Sequence, residues 1–169
     1  MELRDATPGD GDAIRQVHKR SILELGPAGY DEEQVEAWAA GCDTADYSKT
    51  IASDDIEMIV LETDDAVVGF GSIKFEDNDE YEATIDTEVT GVYVHPSVHR
   101  EGAGTRIYPE LERRARASGA DSIGLWASLN AVAFYEHHGF ELVIEHTHEF
   151  SGHESTGVTG TVVEMKKEL

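Results

Sequence analysis

The spacing of apolar positions along this chain changes character near residue 56. Before it, the spacing is helical. From Asp10, the residues Ala13, Ile14, Val17 and Ile22 recur at intervals that place them on one helix face. Gly26-Pro27-Ala28-Gly29 breaks that helix. Asp31, with Gln34 three residues later, is a capping-box signature, and Val35, Trp38 and Ala39 share a side of the helix it opens. Gly41 is expected to end it. After that point short apolar runs dominate. Glu57 to Glu62 and Val67 to Phe75 read as strands joined at Asp64-Asp65, and Gly69 and Gly71 signal a bulge or a close backbone approach. Ile85 to His95 is a further strand. Arg106 to Ala117 is a helix ended by Gly119, Ser122 to Ser128 a strand, and Ala131 to His138 a short helix closed by Gly139. Phe140 to Phe150 and Gly160 to Lys166 are expected to pair across a polar turn. With Glu2 to Ala6 as a first strand, the order β-α-α-β-β-β-α-β-α-β-β predicts a mixed α/β domain.

A length of 169 residues suits one domain, 1–169. No apolar run approaches the roughly 18 residues of a membrane span. Met-Glu-Leu-Arg-Asp does not read as a signal peptide, and Cys42 is the only cysteine. A reducing cytoplasm is the expected location. Charge sharpens the picture: 35 acidic residues face 13 Lys plus Arg, for a net charge of −22. Such a surface repels nucleic acid and anionic membranes, so neither is expected as a partner. The acids are spread along the chain, which points to a halophilic protein; an acidic surface that attracts cationic substrates is the competing reading. The unfolding midpoint is therefore expected to rise from low salt to multimolar KCl. High stability in low salt would count against the halophilic reading.

Two segments carry candidate chemistry. In the first, Gly91-Val92-Tyr93-Val94-His95-Pro96 runs into His99-Arg100-Glu101-Gly102-Ala103-Gly104. This is a strand ending at a proline, then a glycine turn opening a helix. Gly102 and Gly104 permit positive φ and close approach, and the free N–H groups and dipole of the helix start suit a pyrophosphate. Arg100 adds a charge. The dinucleotide fingerprint fails because Ile107 stands where its third glycine belongs, and the P-loop Gly-Lys-Ser/Thr is absent. Pro109 sits early in the following helix, where distortion is expected. In the second segment, Asn130 is placed to cap a helix carrying Phe134 and Tyr135, closed by Gly139-Phe140.

Val92-Tyr93-Val94-His95-Pro96 followed by His99-x-x-Gly102-x-Gly104 resembles the acetyl-CoA signature of the GCN5-related N-acetyltransferases. His99 departs from the Gln or Arg usual there. The run Asn130-Ala131-Val132-Ala133-Phe134-Tyr135-Glu136-His137-His138-Gly139-Phe140 resembles that family's second signature, in the expected order. The resemblance implies a mostly antiparallel central sheet flanked by helices, the GNAT-like acyl-CoA N-acyltransferase fold. It implies acetyl-CoA as co-substrate, no metal, a small-molecule or peptide amine acceptor, and a homodimer. Its cofactor-binding residues here would be Val92, Tyr93, Val94, His99, Arg100, Glu101, Gly102, Ala103, Gly104, Thr105, Asn130, Ala133, Phe134 and Tyr135. A non-catalytic acyl-CoA-binding module of the same fold is the alternative.

Acetyl transfer to an alkyl amine poses two proton problems. The amine, with a pKa of about 10.4, must lose a proton, and the leaving thiolate must gain one. The resemblance makes Tyr135 the acid. For the base the expectation is Glu88, with Asp86 second: period-two alternation would put Glu88, Thr90, Val92 and Val94 on one face beside the thioester. The Val92 to Val94 N–H groups are candidates for the thioester carbonyl and for strand-like pairing with the pantetheine arm. His146 and His148 alternate on one strand, but their spacing fits no standard metal site. Tyr30 and Trp38 line an acceptor pocket or pack the core. Glu76 to Glu80 is a solvated loop or a cation trap.

Overall fold

A computed structural model of the chain describes residues 1–64, 66–150 and 155–169. The strands are β1 (Glu2–Asp5), β2 (Ile56–Thr63), β3 (Ala66–Lys74), β4 (Thr87–Val94), β5 (Ser122–Ser128), β6 (Glu141–Glu149) and β7 (Thr159–Glu168). The helices are α1 (Gly11–Leu25), α2 (Glu32–Thr44), α3 (Tyr47–Ile51), α4 (Ala103–Ala117) and α5 (Val132–His137). The strands form one seven-stranded sheet in the order β1-β2-β3-β4-β5-β7-β6. Only β4 and β5 run parallel, so the sheet is mixed and mostly antiparallel, as expected.

Each face of the sheet carries its own core. On one side, Ile107, Leu111 and Ala115 of α4 meet Ile73, Val89, Ile123 and Leu125. On the other, Ile14 and Val17 of α1 meet Val60 and Phe70, and Ile22, Val35, Ala39 and Cys42 extend the layer toward Phe150. The two glycines of β3 mark a close approach rather than a turn. A Cβ on Gly71 would lie 2.6 Å from Ile107 and 3.0 Å from Leu111; one on Gly69 would lie 2.9 Å from Ile107. Helix α4 therefore lies unusually close to β3.

The capping box at Asp31 forms as expected: the Gln34 N–H donates to Asp31 Oδ1 at 2.9 Å, and the Asp31 N–H to Gln34 Oε1 at 3.0 Å. Two expectations need correction, and one helix is additional. Gly41 does not stop α2, which runs on to Thr44. A helical glycine costs only about 1 kcal/mol, and the extension buries Cys42 and brings its carbonyl to Arg15, which also bonds the Ala45 carbonyl at 3.0 Å. Helix α3, capped by Asp46, was not foreseen. Pro109 does not interrupt α4; its ring lies on the exposed side, where the unpaired Thr105 carbonyl costs least. The turn at Asp64 has φ 45°, and Asp65, with part of the final hairpin turn, lies outside the described residues.

Candidate functional site

The site begins with a defect in strand pairing. Ser72 pairs with Gly91, but Ile73 pairs with Val89, so Thr90 is an extra residue in β4. This β-bulge switches the strand's alternation. Val89, Val92 and Val94 pack toward α4, whereas Glu88 lies on the opposite face with Thr90, whose hydroxyl meets Ser72, and Tyr93. The expected shared face of Glu88, Thr90, Val92 and Val94 is therefore wrong. A one-residue insertion inverts the pattern, and strict period two cannot reveal it.

The bulge coincides with a split in the sheet. Strands β4 and β5 pair only at Thr87–Ile123 and Glu88–Gly124, then diverge. The His95 N–H donates to the Val68 carbonyl of β3 at 2.7 Å. By alternation, the Val92 and Val94 N–H groups point the other way, into the gap. The split thus leaves strand-like donors facing an open channel, with Glu88 the last paired β4 residue before it opens.

The channel widens into a cavity of about 420 Å³. Its walls are Val92, Tyr93 and Val94 from β4, Val98 to Arg100 and Gly102 to Thr105 from the turn, and Ser128, Asn130, Phe134 and Tyr135 from the β5–α5 region. Ser21, Ile22 and Leu25 of α1 and Trp38 of α2 close the remaining side. Among the described lining residues, Arg100 is the only Lys, Arg, Asp or Glu. In a chain of net charge −22 that makes the cavity mouth an anion-accepting spot.

The glycine turn is built as its sequence requires. Arg100 has φ 63° and Gly102 φ 82°, both left-handed, so the chain turns sharply before α4. At an α-helix start the first N–H groups have no partner within the helix, and here those are of Ala103, Gly104 and Thr105. Gly104 has another purpose: a Cβ there would lie 3.0 Å from the Phe134 ring. The two sequence motifs touch at that point, so the glycine turn and α5 are placed as one unit. Arg100→Asn, which tolerates positive φ, is expected to weaken acetyl-CoA binding about fivefold. Calorimetry in fixed salt would check this; an unchanged constant would remove Arg100 from the site.

Not every expected residue reaches the cavity. Glu101 is exposed and its N–H is taken by the Val98 carbonyl, while Ala133 lies exposed on the outer side of α5. Asn130 lines the cavity but does not cap α5: it sits in a short 3-10 turn, Leu129–Ala131, and Ala131 is the residue before the helix. That turn is held by the segment between α1 and α2. The Tyr30 hydroxyl accepts the Leu129 N–H at 3.1 Å and donates to the Thr161 carbonyl at 2.6 Å. Tyr30 is thus a packing and locking residue, whereas Trp38 lines the cavity. Ser21, Ile22 and Leu25 were missed as a group, although Leu25 continues the α1 face three residues beyond Ile22.

Tyr135 lines the cavity, is 5% exposed, and has no hydrogen bond from its hydroxyl among the described residues. Its ring packs between Phe134, Phe140 and Tyr108. Burial pushes its phenol well above the ordinary value, so it holds its proton at neutral pH. Beside it, Tyr93 packs against His18, a histidine that burial pushes down to about 4 and so keeps neutral. Glu88 does not line the cavity; its Oε2 accepts the Tyr81 hydroxyl at 2.6 Å. Asp86 is exposed, and its Oδ2 accepts the Asp121 N–H at 2.8 Å. His146 donates toward Glu164 instead of grouping for a metal. Among the described residues no group of three or more metal-ligating side chains occurs, and no helix is long and apolar enough to cross a membrane. Burial pushes the Cys42 thiol up, which suits a core residue and not a nucleophile.

Comparison with known proteins agrees with this geometry. The model of the acetyltransferase (GNAT) domain matches residues 28–169. A GCN5-related N-acetyltransferase from Rhodopseudomonas palustris is 27% identical, with 99% of this chain and 95% of that one covered and a TM-score of 0.83. The PaiA N-acetyltransferase from Thermoplasma acidophilum, solved with coenzyme A, is 19% identical over 99% and 98% of the two chains, with a TM-score of 0.76. An aminoglycoside 6'-N-acetyltransferase complexed with coenzyme A is 14% identical over 99% and 97%, at 0.65. Among curated proteins, none matches the sequence at a significant level.

Proposed function

The chain belongs to the GCN5-related N-acetyltransferase family, as an acetyl-CoA-dependent acyltransferase, and we propose that it moves the acetyl group of acetyl-CoA directly to a primary amine. The observation that carries this reading is the split between β4 and β5. It aims two backbone donors into a channel that ends, at its mouth, on a left-handed turn, a helix start and Arg100. Those features fit an extended thioester arm with a pyrophosphate behind it.

Acetyl-CoA would supply an activated acetyl thioester and a thiol leaving group. The chain's own residues do the rest. The turn from His99 to Thr105 holds the anionic end. The Val92 and Val94 N–H groups line the arm and are aimed where negative charge grows on the acetyl oxygen. Tyr135 holds the proton that the departing sulfur needs. A phenol near 10 and a thiol near 8.5 leave that transfer uphill by roughly 2 kcal/mol in water. Burial raises both groups, so their gap matters more than either value. Glu88, at the vertex of the split and on the face opposite Val92 and Val94, takes the amine proton, directly or through water. An acceptor would approach on that face, past α1 and Trp38.

A free-thiol release assay with acetyl-CoA and a panel of primary amines tests this reading. Thiol release that depends on an amine is the expected result. Binding of acetyl-CoA with no release on any amine would instead favour a non-catalytic binding module.

A further inference from the structure

The long connection between β3 and β4, residues 75–86, has no regular structure, yet one buried side chain pins its middle to the sheet. Glu164 of β7 has no exposed surface. Its Oε1 accepts the Glu82 N–H at 2.8 Å and faces His146 Nε2 at 2.7 Å, and its Oε2 accepts the Ala83 N–H at 2.8 Å. Burial opposes the charge on Glu164, but these hydrogen bonds outweigh it and hold the carboxyl below its ordinary value. The carboxylate is thus the anchor of the loop.

The anchored loop carries Tyr81, which is 8% exposed. Its ring lies 5.5 Å from Trp126, and Trp126 stacks on His146 at 4.6 Å. Gly124 makes room for this: a Cβ there would lie 2.6 Å from Ile85 and 3.1 Å from Tyr81. The Tyr81 hydroxyl ends on Glu88, and Gly124 is the residue paired with Glu88 at the vertex. Glu164, the loop, Tyr81 and Glu88 therefore form one connected chain, and His146 and Trp126 brace it from the side.

We propose that Glu164 is a positioning residue for the transfer reaction: it fixes the 75–86 loop so that Tyr81 holds the Glu88 carboxylate at the vertex of the β4–β5 split. The proposal rests on Glu88 as the base. Glu164→Gln keeps the shape but replaces one acceptor oxygen with an NH₂ group, so one of the two loop N–H groups loses its partner. Tyr81→Phe keeps the packing and removes only the hydroxyl. A purely structural role for either residue would not depend on Glu88.

The test is a double-mutant cycle on turnover, using thiol release from acetyl-CoA with the fastest amine of the panel. Tyr81→Phe and Glu164→Gln are each expected to lower kcat about tenfold with acetyl-CoA affinity unchanged. In a Glu88→Gln background neither should lower it further. Hydrogen exchange, which needs no acceptor, should rise at Glu82 and Ala83 in Glu164→Gln and not in Tyr81→Phe. If Glu88→Gln is impaired but the other substitutions act equally in both backgrounds, or not at all, the positioning role is overturned; unchanged exchange in Glu164→Gln also overturns it. If Glu88→Gln itself leaves turnover unchanged, the base assignment fails first.

Discussion

Tyr135→Phe is expected to lower turnover about 100-fold while leaving acetyl-CoA affinity unchanged, the signature of a lost proton donor. The side chain is well suited to a clean test. Its ring is held by Phe134, Phe140 and Tyr108, and a phenylalanine keeps those contacts. Its hydroxyl faces the cavity without a protein partner among the described residues, so removing it strands no buried group. Calorimetry with acetyl-CoA and steady-state thiol release separate the two effects. A rate equal to that of the unmodified protein would exclude Tyr135 as the acid. A loss confined to affinity would make it a binding residue.

Gly71→Val is expected to cost roughly 3 kcal/mol of stability. The Cβ alone would stand 2.6 Å from Ile107, which is fully buried, and the added methyl groups would push against Leu111 as well. Because α4 begins at the glycine turn, a displaced helix would also move the Ala103 to Thr105 N–H groups. Urea unfolding at fixed salt measures the loss. Adding Ile107→Ala should recover part of it, since the two sites share the same space. Equal stability of Gly71→Val and the unmodified protein would show that α4 does not depend on that close approach.

Local signals in the sequence translated well. The capping box at Asp31 and Gln34, the pair of glycines in β3 and the left-handed Gly139 after α5 each have a short-range cause, and each formed. The glycine turn was legible for the same reason: Gly102 needs a positive φ, and Gly104 must leave room for Phe134. Features set by distant partners were not legible. The extra Thr90 exists only relative to Ser72 and Ile73 across the sheet, so the face of Glu88 was misread. The split between β4 and β5 involves strands far apart in sequence, and no residue in either announces it. Asn130 has the right chemistry for a cap, yet the Tyr30 hydroxyl draws Leu129 into a 3-10 turn that moves the helix start past it. The Glu164 anchor was equally hidden, because one acid among 35 becomes distinctive only when it is seen buried.

A crystal structure with coenzyme A bound would show whether the split between β4 and β5 is the cofactor channel. The pantetheine arm is expected between β4 and β5, hydrogen-bonded to the Val92 and Val94 backbone. The pyrophosphate is expected at the His99 to Thr105 turn and the sulfur within hydrogen-bond reach of the Tyr135 hydroxyl. Coenzyme A bound elsewhere on the chain, or its sulfur turned away from Tyr135 and the vertex at Glu88, would contradict that assignment.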